Sequence, residues 1–227
     1  MNKQYLKSFP SLALFLFFFA ASIPAFGQYE HEYAPIEEKQ IEFRNWNYEN
    51  ASGEGKTDLR EFAKDKKLVL VFYFSPWCHA SKFQTPVTQR LYEDYKDEGL
   101  GVIGVSMYDS IDALRREIKL RMISFPVVVE TTELSARKTS QHFKYRVATG
   151  DNRKWGTPWN IFLEPSKLTE KGDLLAEKAF VVNGELREEE AEAFIRERLG
   201  LPPLSKPKGT AAAAKEKPIA ECPAEDN

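Results

Sequence analysis

One stretch of the chain concentrates residues able to do thiol chemistry: Trp77, Cys78, His79, Ala80 and Ser81 follow directly on an apolar run, residues 68–74 (LVLVFYF). The pattern puts a cysteine where a buried strand turns into a helix. Helix N-termini expose unpaired amide N–H groups and carry roughly half a positive charge, which favours thiolate over thiol and lowers a cysteine from its reference value of about 8.5. A protonated His79 would add to that effect. Ser81 stands where a C-x-x-C pair would have its second sulfur. Its hydroxyl can hydrogen-bond a thiolate but cannot attack a mixed disulfide. The chemistry therefore moves from disulfide reduction toward exchange: isomerisation, removal of a small thiol cap, or capture of client cysteines.

The elements that must position this thiol alternate along the chain. Residues 68–74 read as a strand buried on both faces. Residues 81–96 follow with Phe83, Val87, Leu91 and Tyr95 at helical spacing, and 101–107 is a second buried strand. Asp109 and Ser110 offer a cap before Ile111, Leu114 and Ile118, which share a helix face. Residues 125–129 form a third strand, 131–145 have helical character, and 159–163 and 177–182 read as the last two strands. The closing helix, 187–199, begins with Glu188, Glu189 and Glu190 and ends with Arg196, Arg198 and Gly200, an order that suits its dipole and C-cap. Residues 28–56, with Phe43, Trp46 and Tyr48, have no assigned role; they either add an edge strand or cover the core. The pairs Arg115-Arg116 and Arg137-Lys138 read as solvated helix faces.

The aromatic strand leading into Trp77-Cys78 resembles the thioredoxin superfamily, whose active site is Trp-Cys-x-x-Cys at a helix start. Pro86 lies eight residues after Cys78, where that family often has the proline that kinks the first helix. Gly156, Thr157 and Pro158, before an apolar segment, look like its cis-proline loop, which faces the cysteine and helps dock an extended substrate. The resemblance spans about residues 40–200. It implies an α/β class with a thioredoxin-like fold: a central mixed β-sheet, its last strands antiparallel, flanked by helices on both faces. The long segment before the proline loop is most similar to the exported TlpA/ResA-like branch, here as a Cys-x-x-Ser variant. The chain departs from the family at Ser81 and at Phe72, where classical members hold a buried acid. It does not match the peroxiredoxin pattern Pro-x-x-x-Thr/Ser-x-x-Cys or the Cys-x-x-x-Cys of Sco-like proteins.

Lys3 and Lys7 precede an apolar run at 12–21, and Ala25 and Gly27 supply small residues at −3 and −1. That is a secretory signal, with cleavage expected before Gln28. Its core is short against the about 20 residues of a membrane span, so membrane association follows only if the segment stays uncleaved. The expected organisation is a signal peptide at 1–27, an extension at 28–56, one domain at 57–200, and a disordered Pro/Lys/Ala-rich tail at 201–227. Removing two of 32 basic residues leaves 30 against 34 acidic, a net of −4. Nucleic acid is not an expected partner. The three histidines and two cysteines have no zinc spacing, so no metal is expected, and no cofactor is expected because sulfur itself would carry the electrons. Cys222 sits in the tail, close enough along a flexible chain to serve as a resolving thiol for Cys78, or to be incidental.

The expected function is thiol-disulfide exchange in the bacterial periplasm or outside the cell. The catalytic residues would be Cys78 and Ser81, with Trp77, His79, Thr157 and Pro158 contacting substrate. Client protein disulfides or small thiols and a separate electron-donating thiol are the expected partners. A non-catalytic binding module using the same groove is the alternative, and a thiol peroxidase is a weaker third.

Overall fold

The computed structural model describes residues 31–204; the expectations for residues 1–27, for the tail beyond 204 and for Cys222 lie outside them. The elements in chain order are β1 (Glu37–Arg44), β2 (Asn47–Asn50), β3 (Lys56–Asp58), α1 (Leu59–Ala63), β4 (Leu68–Phe74), α2 (His79–Tyr95), β5 (Leu100–Met107), α3 (Ile111–Leu120), β6 (Val127–Thr131), α4 (Gln141–Ala148), β7 (Trp159–Leu163), β8 (Leu174–Val182) and α5 (Glu188–Leu199).

Every residue of β4 is buried, as an unbroken apolar strand requires. It lies inside one eight-stranded sheet of order β1-β8-β7-β4-β5-β6-β2-β3. The β4–β5 and β5–β6 pairs are parallel and every other pair is antiparallel. Alternation along β4 sorts its side chains between two cores. Leu68, Leu70, Phe72 and Phe74 pack with Leu91 of α2, Leu114 of α3 and Ile195 of α5. Val69, Val71 and Tyr73 pack with Leu59 of α1 and Tyr145 of α4, and with Phe43 and Trp46. The sheet is mixed, with helices on both faces.

Residues 37–58 give the sheet both of its ends. β1 pairs with β8 and β2 with β6, while Phe43 and Trp46 enter the core, so this stretch adds edge strands and covers the core at once. The helical character read across 131–145 is divided. Thr131 completes β6, a short 3-10 turn occupies Leu134–Lys138, and α4 starts afresh after Ser140. The break follows from capping: Ser140 Oγ accepts from Phe143 N–H at 3.1 Å, fixing an N-terminus there. Ser110 does the same for α3, accepting from Ala113 N–H at 3.2 Å, and Gly200 ends α5 in the left-handed conformation at φ +74°.

Pro86 lies within α2, which continues through it to Tyr95. A buried amide pair ties this helix to the sheet. Gln84 Nε2 donates to Asn160 Oδ1 at 2.6 Å, and Gln84 Oε1 accepts from Asn160 Nδ2 at 3.1 Å and from Leu186 N–H at 3.0 Å. One side chain thereby fixes α2 against β7 and the turn into α5. We expect Gln84→Leu to leave the Asn160 amide and the Leu186 N–H short of partners in a dry site, lowering stability by about 2–3 kcal/mol in a urea titration.

Candidate active site

β4 ends at Phe74, and a tight turn closed by Cys78 N–H donating to Ser75 O at 3.0 Å delivers Cys78 to the N-cap of α2. The sulfur is enclosed, with 0% of the residue exposed. It does not cap the helix amides. Its thiol instead donates to the Thr157 carbonyl at 3.1 Å, a contact that only the protonated sulfur makes. The expected poising by the helix start is therefore opposed by burial and by a carbonyl oxygen facing the sulfur. The Thr157–Pro158 peptide is cis and stands against Cys78, 79 residues away in the chain.

Ser81 is buried, and its Oγ accepts from Ser75 N–H at 3.3 Å, bracing the turn that carries Cys78. Thr157 Oγ1 donates to Ser75 Oγ at 3.3 Å, joining the same turn to the proline loop. His79 opens α2, partly exposed. Phe72, where the resemblance implies an acid, is fully buried and stacks on Phe74 with ring centres 5.0 Å apart.

Aromatic rings surround the sulfur's turn. Trp77 meets Trp155 edge to face at 5.2 Å and donates its indole N–H to the Tyr108 carbonyl at 3.0 Å. Tyr108 is left-handed at φ +59°, an arrangement costly for a residue with a Cβ. It is held at both ends, since its hydroxyl also hydrogen-bonds Ser140 Oγ at 2.9 Å. The Arg137 guanidinium lies over the Trp155 ring at 4.9 Å, so this residue is part of the aromatic rim rather than a solvated face. Beneath, fully buried His142 stacks on Tyr73 at 5.1 Å. Burial, with Arg146 next, pushes it well below the ordinary histidine value and keeps it neutral.

The proline loop is held by ions. Arg146 and Asp151, each with a side chain 1% exposed, pair at 2.9 Å, and Arg153 Nη2 joins Asp151 at 2.8 Å. Burial opposes the Asp151 charge, but the hydrogen bonds and charges of Arg153 and Arg146 outweigh it and hold the carboxyl at about 2. Arg146 also donates to the Trp155 carbonyl at 2.9 Å. Gly156 runs directly across its guanidinium: a Cβ there would lie 1.7 Å from Arg146 Cζ, at a φ of +65°.

A second acid, half-buried with its carboxylate turned inward, serves α4. Glu130 Oε1 accepts from Gln141 N–H at 2.7 Å and His142 N–H at 3.3 Å, while Oε2 is enclosed without a hydrogen bond. Burial raises this carboxyl from 4.5 to about 7 against the pull of those two amides, the Tyr48 hydroxyl and Lys144. Local sequence signals do not single out these residues: Tyr108 and Glu130 follow apolar strand runs that explain them as strand ends, and Arg146 and Arg153 sit among polar residues that give no sign of burial. Trp155 beside Gly156 was the one visible cue. Among the described residues no group of three His, Cys, Asp or Glu side chains is arranged to hold a metal, and no helix is long and apolar enough to cross a membrane.

A family model described as the AhpC/TSA family matches residues 39–155. No curated protein sequence matches the chain. Among solved structures it is similar to a thioredoxin-family thiol:disulfide interchange protein from Chlorobium tepidum TLS, at 15% identity and a TM-score of 0.52, covering 71% of this chain and 98% of that one. It is also similar to the thioredoxin domain of a thiol-disulfide oxidoreductase from Bacteroides vulgatus, at 18% identity and a TM-score of 0.51, covering 72% and 98%. At these identities the likeness is one of fold, and the fold is thioredoxin-like.

Two predictions follow from the loop and its helix. Gly156→Ala must displace Arg146 from its buried pairs and should cost at least about 3 kcal/mol, whereas Gly150→Ala, also left-handed but with nothing within 4 Å of the added methyl, should cost only about 1 kcal/mol in the same thermal melts. For Glu130 the folded carboxyl titrates above its unfolded value, so its contribution is fully present below pH 4.5 and is lost as pH rises through about 7. Relative to Glu130→Gln, the wild type should lose up to about 3 kcal/mol between pH 4.5 and pH 8; parallel pH profiles for the two would refute the assignment.

Proposed function

The chain belongs to the AhpC/TSA family, and we propose that it carries out thiol-disulfide exchange through the single active-site sulfur of Cys78, as a TlpA/ResA-like member with a Cys-x-x-Ser site. The observation that carries this reading is the meeting of Cys78 Sγ with the Thr157 carbonyl beside a cis Pro158 at the start of α2. A thiol, a helix N-terminus and the loop proposed to dock an extended client meet in one place.

In the proposed cycle Cys78 loses its proton and its sulfur attacks one sulfur of a client disulfide. A Cys78–client S–S bond forms, the client S–S bond breaks, and the departing sulfur takes up a proton. Helix amides favour negative charge on the attacking sulfur, and the backbone beside Pro158 pairs with the client. Trp77 and Trp155 furnish the apolar contact. Ser81 cannot resolve the adduct, so a second thiol must attack it; that thiol is an external donor or Cys222, which lies outside the described residues. No cofactor enters the cycle, since sulfur carries the electrons. We further propose that residues 1–27 export the protein and that its clients are extracytoplasmic proteins or small thiols.

A peptide whose one cysteine is joined to glutathione tests the proposal. The wild type should accelerate release of glutathione to an added dithiol, and Cys78→Ser should return the rate to that of buffer. Wild-type binding of the peptide with no acceleration would favour a binding module, and consumption of hydrogen peroxide at the dithiol's expense, without peptide exchange, would favour a peroxidase.

A further inference from the structure

The carbonyl facing Cys78 belongs to residues 149–158, which form neither helix nor strand. A loop carbonyl is only as fixed as the contacts that hold its loop, and here they come largely from two arginines. Arg146 spans Asp151, the Trp155 carbonyl and the Arg153 carbonyl. Arg153, with a side chain 7% exposed, reaches Asp151 through Nε and Nη2, the Pro158 carbonyl through Nη2 at 2.8 Å, and Glu32 Oε2 through Nη1 at 2.6 Å. Thus Arg153 holds the carbonyl one residue beyond the one that accepts from the sulfur.

Glu32 is itself anchored. Its N–H donates to Glu185 Oε1 at 2.7 Å, and its carbonyl accepts from Glu185 N–H at 2.7 Å. Gly184 leaves no room beneath it, since a Cβ there would lie 2.1 Å from Glu32 O. A continuous line of contacts therefore runs from the N-terminal segment through Glu32, Arg153 and the Pro158 carbonyl to Thr157 and the sulfur.

Buried ion groups are poor evidence for stability, because desolvation offsets most of their attraction and apolar residues often replace them without loss. Two arginines against Asp151 and Glu32 balance in charge, yet their remaining donors are directed at backbone carbonyls of one loop. A lysine would supply a single nitrogen where the planar fork of Arg153 serves three partners. We propose that Arg153 is a positioning residue for Cys78, setting the Thr157 carbonyl on the sulfur through its grip on Pro158, and that Glu32 of the N-terminal segment is part of the same device. The inference rests on Cys78 being the reacting group.

The test is alkylation of Cys78 by iodoacetamide over a range of pH, in the full chain carrying Cys222→Ser so that one thiol reports. Releasing the loop frees the sulfur from both enclosure and carbonyl. Arg153→Met should therefore label about ten-fold faster at neutral pH, with its midpoint moved to lower pH. Arg153→Lys should not restore the wild-type rate, and Glu32→Gln should give an intermediate rate. Gln84→Leu serves as a control that lowers stability without touching the loop, and its labelling should stay within about two-fold of wild type below the melting range. Rates and midpoints for folded Arg153→Met matching those of wild type, or an equal rise in Gln84→Leu, would overturn the proposal. If Arg153→Met does not fold, Glu32→Gln decides by the same criterion. Alkylation needs no client, so altered labelling in a protein that exchanges no disulfide would refute the exchange reading alone. Exchange that is unaffected by the variants, with unaffected labelling, would refute the positioning role alone.

Discussion

Tyr73 of β4 lies opposite Trp159 of β7 in an antiparallel register, and the site depends on that pairing. The strands run in opposite senses, so the residues that follow Tyr73 and those that precede Trp159 leave the sheet at the same end. Cys78 sits on one exit and Thr157 on the other. A slip of one residue would turn every side chain of β7 to the opposite face, and Asn160 would no longer meet Gln84. The two aromatic rings themselves pack edge to face at 5.3 Å, which adds a side-chain reason for the register to the backbone one.

Around this meeting point apolar and ionic groups divide the work. Aromatic rings pack around the turn that carries the sulfur: Trp77, Tyr108 and the loop's own Trp155 are large, have few rotamers, and each has its position set by a neighbour. The rest of the loop has few apolar residues to pack. Its carbonyls are held by guanidinium donors, which in a dry environment satisfy several acceptors from one centre. The sulfur is enclosed and faces the Thr157 carbonyl of that loop. Its own preference is contested, with the helix start favouring the anion and the enclosure and Thr157 carbonyl favouring the thiol.

Much of this frame was legible in the residues. An unbroken apolar run could only be a central strand, Ser110 and Gly200 marked helix ends by chemistry that acts within four residues, and the triplet at 156–158 located the loop. What escaped reading depends on distance. Residues 131–145 carry helical composition throughout, but Ser140 and Glu130 both supply acceptors for the first amides of α4, and Glu130 does so from a strand. Arg153 resembles any loop arginine until Glu32, 121 residues earlier, is seen beside it. Phe43 and Trp46 were visible as aromatic residues without a destination, because their partners lie in strands far along the chain. Local signals were readable; contacts that span the chain were not.

That separation bears on the order in which the molecule is assembled. Among the described residues β1 pairs with β8 alone, whose pairing residues begin at Leu174. During synthesis at about 5–20 residues per second, β1 therefore waits roughly 7–30 s before its neighbour exists. Proteins dominated by such distant contacts fold slowly, and an unpaired strand edge invites other chains in the interval. β1 opens with four polar residues, Glu37, Glu38, Lys39 and Gln40, and then alternates buried Ile41 and Phe43 with exposed Glu42 and Arg44, which keeps that waiting edge charged and unattractive to a second copy until the last strand arrives.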